Sequence, residues 1–121
     1  MKKILIVEDE LVISLAYKIM LNEHGFEVVK RVTNGLDALK AIDEHELDLL
    51  ILDIKLKGDM SGLELANRIR EQSDTPIIFT SGNSHLETSK LHKQIQHSLF
   101  LVKPVEERTL IDAVKDMLVD E

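Results

Sequence analysis

The chain predicts an α/β fold, a doubly wound five-stranded parallel sheet with five helices covering both faces, and three observations carry that expectation. Five short apolar runs of strand character alternate with segments whose apolar residues recur at helical spacing. The runs are largely continuous rather than alternating, as strands buried on both faces require. The connections are short, which favours repeated β-α units in one sheet. At 121 residues the chain can bury one core and not two, so residues 1–121 are expected to form a single domain.

Ile4 to Val7 is the first strand. The helix after it carries Leu11, Leu15, Ala16, Ile19 and Met20 at helical spacing, and His24-Gly25 stops it because glycine accepts the left-handed cap. Phe26 to Val32 is more mixed and suits a strand nearer an edge. Asn34 caps a second helix bearing Gly35, Ala38, Leu39 and Ile42 on one face. Leu47 to Leu52 is almost entirely apolar, the signature of a central strand.

Ser61-Gly62-Leu63-Glu64 is a capping-box pattern that opens a third helix through Leu65, Ala66 and Ile69. Ile77 to Thr80, after Thr75-Pro76, is the fourth strand. Ser84-His85-Leu86-Glu87 repeats the capping pattern for a fourth helix with few apolar residues, chiefly Leu86, Leu91 and Ile95, so weak anchoring is expected. Leu99 to Val102 is the fifth strand, and Leu110, Ala113, Val114, Met117 and Leu118 stripe the last helix. Gly58 marks a local turn, not a boundary.

Composition excludes several classes of function. There is no cysteine, hence no disulfide, thiol nucleophile or thiolate zinc site, and a cytoplasmic setting is expected. A formal charge of -7 with scattered Lys and Arg argues against direct nucleic-acid binding. Met1 to Val7 is too short for a signal peptide, and no run approaches a membrane span.

The residues that carry chemistry stand at strand ends. Glu8 and Asp9 follow the first strand, Asp53 the third, Ser81 the fourth and Lys103 the fifth. Parallel neighbouring strands would deliver all five to one carboxyl edge, where open α/β sheets hold ligands. Three carboxylates, a hydroxyl and an ammonium suit a divalent cation and a phosphoryl group, with a carboxylate as nucleophile. Taken alone, Glu8 and Asp9 read as caps of the first helix and Asp53 as a loop acid. Their joint placement argues otherwise, since three acids at one edge repel each other without a cation.

In this arrangement the chain resembles the receiver domains of two-component response regulators, of the chemotaxis-receiver, flavodoxin-like kind, over its whole length. The resemblance rests on Val7-Glu8-Asp9, on Asp53, on Ser81 after Pro76 to Thr80, and on Lys103-Pro104. It implies strand order 2-1-3-4-5 and a phosphoacceptor at Asp53, supplied by a sensor histidine kinase, a phosphotransfer protein or a small donor such as acetyl phosphate. It implies Mg2+ held by Asp9, Asp53, the backbone carbonyl of Lys55 and, through water, Glu8. Lys103 and Ser81 would bind the phosphoryl oxygens. Ser81 and Phe100 would be the switch pair, remodelling the surface of the fourth helix, fifth strand and fifth helix for a downstream partner. Without the motif, Phe100 reads as a plain core aromatic. Such a domain is a signalling phosphoacceptor rather than an enzyme, either stand-alone or part of a longer regulator or hybrid kinase, and a homodimer through the same surface is compatible with it.

The chain departs from the common receiver pattern in several places. The loop from Ile54 to Gly62 lacks the usual proline and is one residue longer, which leaves its shape open. Lys55 either shields the phosphoryl site and tunes metal affinity or points its stem to solvent. Asn83 flanks the site and either orients water or caps the fourth helix, and Gln94 to Ser98 lacks the small Gly-Ala pair often seen before strand five. His85, His92 and His97 are spaced wrongly for two imidazoles on one helix face, so solvated histidines are expected; no chemistry is assigned to His24 or His45.

Rival functions fit less well. A flavodoxin-like electron carrier needs a Ser/Thr/Gly-rich phosphate loop where this chain has Glu8-Asp9-Glu10. A haloacid-dehalogenase-like phosphatase needs an Asp-x-Asp pattern after strand one. The remaining alternative is a receiver-like module that binds a protein partner without phosphorylation.

Overall fold

The five apolar runs become five strands, β1 (Lys3–Val7), β2 (Glu27–Val32), β3 (Leu49–Asp53), β4 (Ile77–Ser81) and β5 (Ser98–Val102). They form one parallel sheet of order β2-β1-β3-β4-β5, as expected. The computed structural model describes residues 1–56, 58–82 and 95–118. Within them lie four helices, α1 (Leu11–Glu23), α2 (Gly35–Glu44), α3 (Gly62–Arg70) and α4 (Glu107–Met117). The helix expected from Ser84, together with Asn83, His85 and His92, falls outside the described residues.

Strand alternation splits the core into two layers. Leu5, Val7, Leu50, Leu52, Ile77 and Phe79 face α2 and α3, whose Ala38, Ala41, Leu65, Ala66 and Ile69 are buried against them. Ile4, Ile6, Leu49, Ile51 and Ile78 face α1 and α4, which contribute Tyr17, Leu21, Leu110, Ile111 and Val114. Because helices cover both faces, β3 and β4 are buried at every residue, whereas the edge strand β5 is partly exposed throughout.

The caps read from sequence form as expected. Asn34 Oδ1 accepts the Asp37 amide at 2.9 Å. Ser61 and Glu64 complete the reciprocal capping box, at 3.1 and 3.2 Å. The inward face of α1 differs from expectation. Leu11, Leu15 and Ile19 are 64%, 45% and 50% exposed, while Ser14, Tyr17 and Leu21 are buried. This helix is apolar around most of its circumference, so spacing alone does not choose a face; packing against β1, β2 and α4 selects Tyr17 and Leu21.

Candidate functional site at the carboxyl edge of the sheet

Hydrogen bonding between strands sets the backbone of the site. The Glu8 amide donates to Val32 O at 3.0 Å, which extends the β1–β2 pairing one residue and fixes Glu8 at the strand end. The Ile54 amide donates to Thr80 O at 3.0 Å and the Lys103 amide to Ser81 O at 2.7 Å, so β4 holds Asp53 on one side and Lys103 on the other. Glu8, Asp53 and Ser81 are all buried.

Lys103 is the hub of the side chains. Its Nζ lies 2.9 Å from Glu8 Oε1 and donates to Asp53 Oδ2 at 3.0 Å. The other oxygens are met by backbone: Glu8 Oε2 accepts the Glu10 amide at 3.1 Å and Asp53 Oδ1 the Lys55 amide at 3.0 Å. Glu8, Asp9 and Asp53 each bring one carboxylate oxygen within 4.8 Å of the others.

Charge at this edge is out of balance, with three carboxylates around one ammonium. Burial pushes the Glu8 carboxyl up to about 7, aided by neighbouring Asp53 and only partly opposed by Lys103 and the Glu10 amide. Burial alone would lower the Lys103 ammonium, but Glu8 and Asp53 overcome it and raise it. Surplus negative charge on converging hard oxygens is what a divalent cation such as Mg2+ compensates, so the donor set fits that ion.

The other expected site residues are placed as follows. Phe100 is half-buried, in register with Phe79 and packed on the α2/α3 layer, the side of the sheet that Ser81 shares by alternation. The Lys55 residue is exposed, and its described contribution is its amide. The unusual loop is held by Ile54, Leu56 and Met60, all buried, and turns at Gly58, whose φ is +102°. The His24 imidazole hydrogen-bonds Glu107 at 3.1 Å, away from this edge, and His97 adopts φ +57° in the stretch that lacks the small pair.

Gly62 belongs to the site although sequence reasoning gave it only to the capping box. Its amide donates to Ile54 O at 2.8 Å, and a Cβ on it would run into the Asp53 carbonyl and sit 2.7 Å from Ile54 Cα. A bare backbone at the start of α3 is what lets that helix close on the end of β3. The only legible signal was its residue type at the first helical position.

Comparison with known proteins places this geometry among relatives. The family profile described as the response regulator receiver domain matches residues 4–115. The chain is 32% identical to the aerobic respiration control protein ArcA of Escherichia coli over 115 residues, 95% of this chain and 48% of that protein. It is 36% identical to the regulatory protein VanR of Enterococcus faecium over 116 residues, 96% of this chain and 49% of that protein. The chain thus spans about half the length of these curated relatives. Among solved structures, a CheY-like receiver domain protein from Methanospirillum hungatei superposes with a TM-score of 0.85 at 31% identity, covering 99% of this chain and 95% of that one. The chemotaxis protein CheY4 of Vibrio cholerae gives 0.88 at 28% identity, covering 98% and 99%.

Proposed function

Since the chain belongs to the response regulator receiver domain family, we propose that it accepts a phosphoryl group on Asp53 from a sensor histidine kinase or phosphotransfer protein and signals the change to a protein partner. The observation that carries this reading is Lys103 Nζ bridging Glu8 and Asp53 within a cluster of three carboxylates.

An Asp53 carboxylate oxygen attacks phosphorus. The P–N bond to the donor imidazole, or the P–O bond to acetate, breaks, and its electron pair leaves with the nitrogen or oxygen. Asp53 is a weak nucleophile towards an anionic phosphoryl group, so the residues around it act by positioning and by offsetting charge. The Lys55 amide orients one Asp53 oxygen. Lys103, already on the other, moves with the developing charge onto a phosphoryl oxygen, and the Ser81 hydroxyl takes another. Asp9, Asp53, the Lys55 carbonyl and, through water, Glu8 would hold Mg2+, which when bound would supply further charge neutralisation.

Movement of Ser81 towards the phosphoryl group makes room for Phe100, on the same side of the sheet, and shifts the surface around β5 and α4. The domain acts as a phosphoacceptor rather than a turnover enzyme, in the cytoplasm with its kinase; no helix among the described residues is long and apolar enough to cross a membrane. The exposed Leu11, Val12 and Leu15, next in sequence to the acids, suit contact with the donor protein.

Intact-protein mass spectrometry after incubation with acetyl phosphate or phosphoramidate and Mg2+ tests the reading. One phosphoryl group should be gained, and lost in Asp53→Asn and in EDTA. A folded protein that takes label from neither donor overturns it in favour of a module that binds its partner without phosphorylation.

A further inference from the structure

A cavity of about 630 Å³ opens between α2, α3 and the loop that follows β3. Asn34 to Asp37 form one wall, Gly58 to Met60 the second, and Glu64 and Arg68, one turn apart on α3, the third. The first two walls follow the carboxyl ends of β2 and β3, so the cavity lies towards the same end of the sheet as Asp53. None of Glu8, Asp9, Asp53, Ser81 and Lys103 lines it.

Its floor is preformed and apolar. Met60 is buried in the α2/α3 core layer and lies so close over Gly35 that a Cβ there would stand 2.8 Å from its sulfur. A thioether seated on bare backbone gives a surface that adapts to the side chain placed on it. At the lip stands Leu36, 70% exposed, on a helix that turns Gly35, Ala38 and Ala41 to the core instead. An apolar floor and lip in a cavity of this size suit a bulky apolar side chain.

The charges around that groove select what flanks the side chain. Asp37, Asp59 and Glu64 line it against Arg68 alone, and Arg68 is already the helix neighbour of Glu64, four residues on. Asp37 gives one oxygen to the Asn34 side-chain amide at 3.0 Å and Glu64 one to the Ser61 amide at 3.2 Å, while the second oxygen of each has no hydrogen bond among the described residues. The formal charge of -7 on the whole chain adds to the same field, which repels an acidic ligand and a second copy alike. We propose that the groove between α2 and α3 docks a basic segment of a protein partner: one bulky apolar side chain sits on Met60 and Leu36, and a lysine or arginine on either side of it pairs with Asp37, Asp59 and Glu64. The inference goes beyond the phosphoacceptor reading and does not depend on it.

Fluorescence anisotropy of a labelled peptide, Ser-Lys-Leu-Phe-Lys-Ser, titrated with the unphosphorylated chain tests this, and amide chemical shifts of the protein locate the contact. Binding should saturate, weaken as salt rises, and shift amides of residues 34–37 and 58–68. Leu36→Ala should weaken it about tenfold, the scale of one apolar side chain losing its contact. Asp59→Asn should weaken it about two-fold, as an exposed ion pair would. Both residues are exposed, so the urea midpoints of these variants should match the wild type. The same peptide with glutamate in place of both lysines should bind at least about tenfold more weakly. No saturation up to about 1 mM, equal binding of the glutamate peptide, or an unchanged affinity in Leu36→Ala would overturn the site. Shifts centred on Leu11, Val12 and Leu15 would move the peptide to α1 and overturn it as well, and a chain that dimerises through residues 34–37 would make the occupant a second copy. Every arm uses unphosphorylated protein, so a chain that takes no label at Asp53 would sink the phosphoacceptor reading and leave this one standing.

Discussion

Two half-buried cations hold the two ends of this sheet, and they are used differently. At the carboxyl edge Lys103 faces Glu8 and Asp53, with Asp9 close by. At the amino edge Arg70, on the last turn of α3, donates to backbone carbonyls, with the Asp74 carboxylate nearby. Its Nε and Nη2 donate to Gln96 O at 3.0 and 2.8 Å, Nη2 also to His97 O at 2.9 Å, and Nη1 to Thr75 O at 2.7 Å. Burial pulls the Arg70 guanidinium below its ordinary value, while the acids raise Lys103. A planar fork of donors spent on fixed carbonyls makes a clamp. A compact ammonium among too many carboxylates leaves a site with negative charge in excess.

The sharpest way to break this contrast is Lys103→Ala, which leaves Glu8 and Asp53 buried with no cation. We expect a loss of about 4 kcal/mol at pH 8 by urea denaturation, smaller at pH 5, together with uncoupling of phosphorylation from the surface change. A variant as stable as the wild type at pH 8 would show that the acids need no partner.

Glu8→Gln comes next. The Glu8 pKa is raised in the folded state from 4.5 to about 7, so the native protein binds the extra proton between those values and stability falls as pH rises through that window. Above about pH 7 the penalty reaches about 3 kcal/mol. Glu8→Gln should flatten the profile and be the more stable protein at pH 8, and Mg2+ should narrow the difference. A wild-type stability that rises from pH 5 to pH 8 would contradict the sign.

Arg70→Ala should cost about 2 kcal/mol, the loss of charge-assisted bonds to carbonyls, with no change in the rate of Asp53 labelling. A slowed rate would mean that the amino-edge clamp reaches the site. The smallest effect is expected at His97, held at φ +57° while its Nδ1 donates to Asp74 O at 2.8 Å. His97→Gly should stabilise by about 0.5 kcal/mol, strain relief outweighing the lost contact and the added freedom of the unfolded chain.

His97 also shows where sequence reading falls short. The small pair expected before β5 is missing, and a left-handed residue stands there, a histidine whose Nδ1 donates to the Asp74 carbonyl. In the same way α1 turns a different face to the core from the one its leucine spacing predicts, because an almost uniformly apolar helix carries no period to read. Gly62 looks like one more cap residue until the Asp53 carbonyl is found against it.

The sequence by itself determined the five strands, the caps at Asn34 and Ser61, and the arrival of Glu8, Asp9, Asp53, Ser81 and Lys103 at one edge. These are local signals, apolar runs and side-chain-to-backbone bonds within three residues, and parallel strands then force their ends together. Tertiary structure alone decided that Lys103 bridges Glu8 to Asp53 and that Glu8 rather than Asp9 is the buried acid. Those outcomes depend on distances between residues far apart in the chain and on the desolvation each suffers there, which no spacing along a sequence encodes.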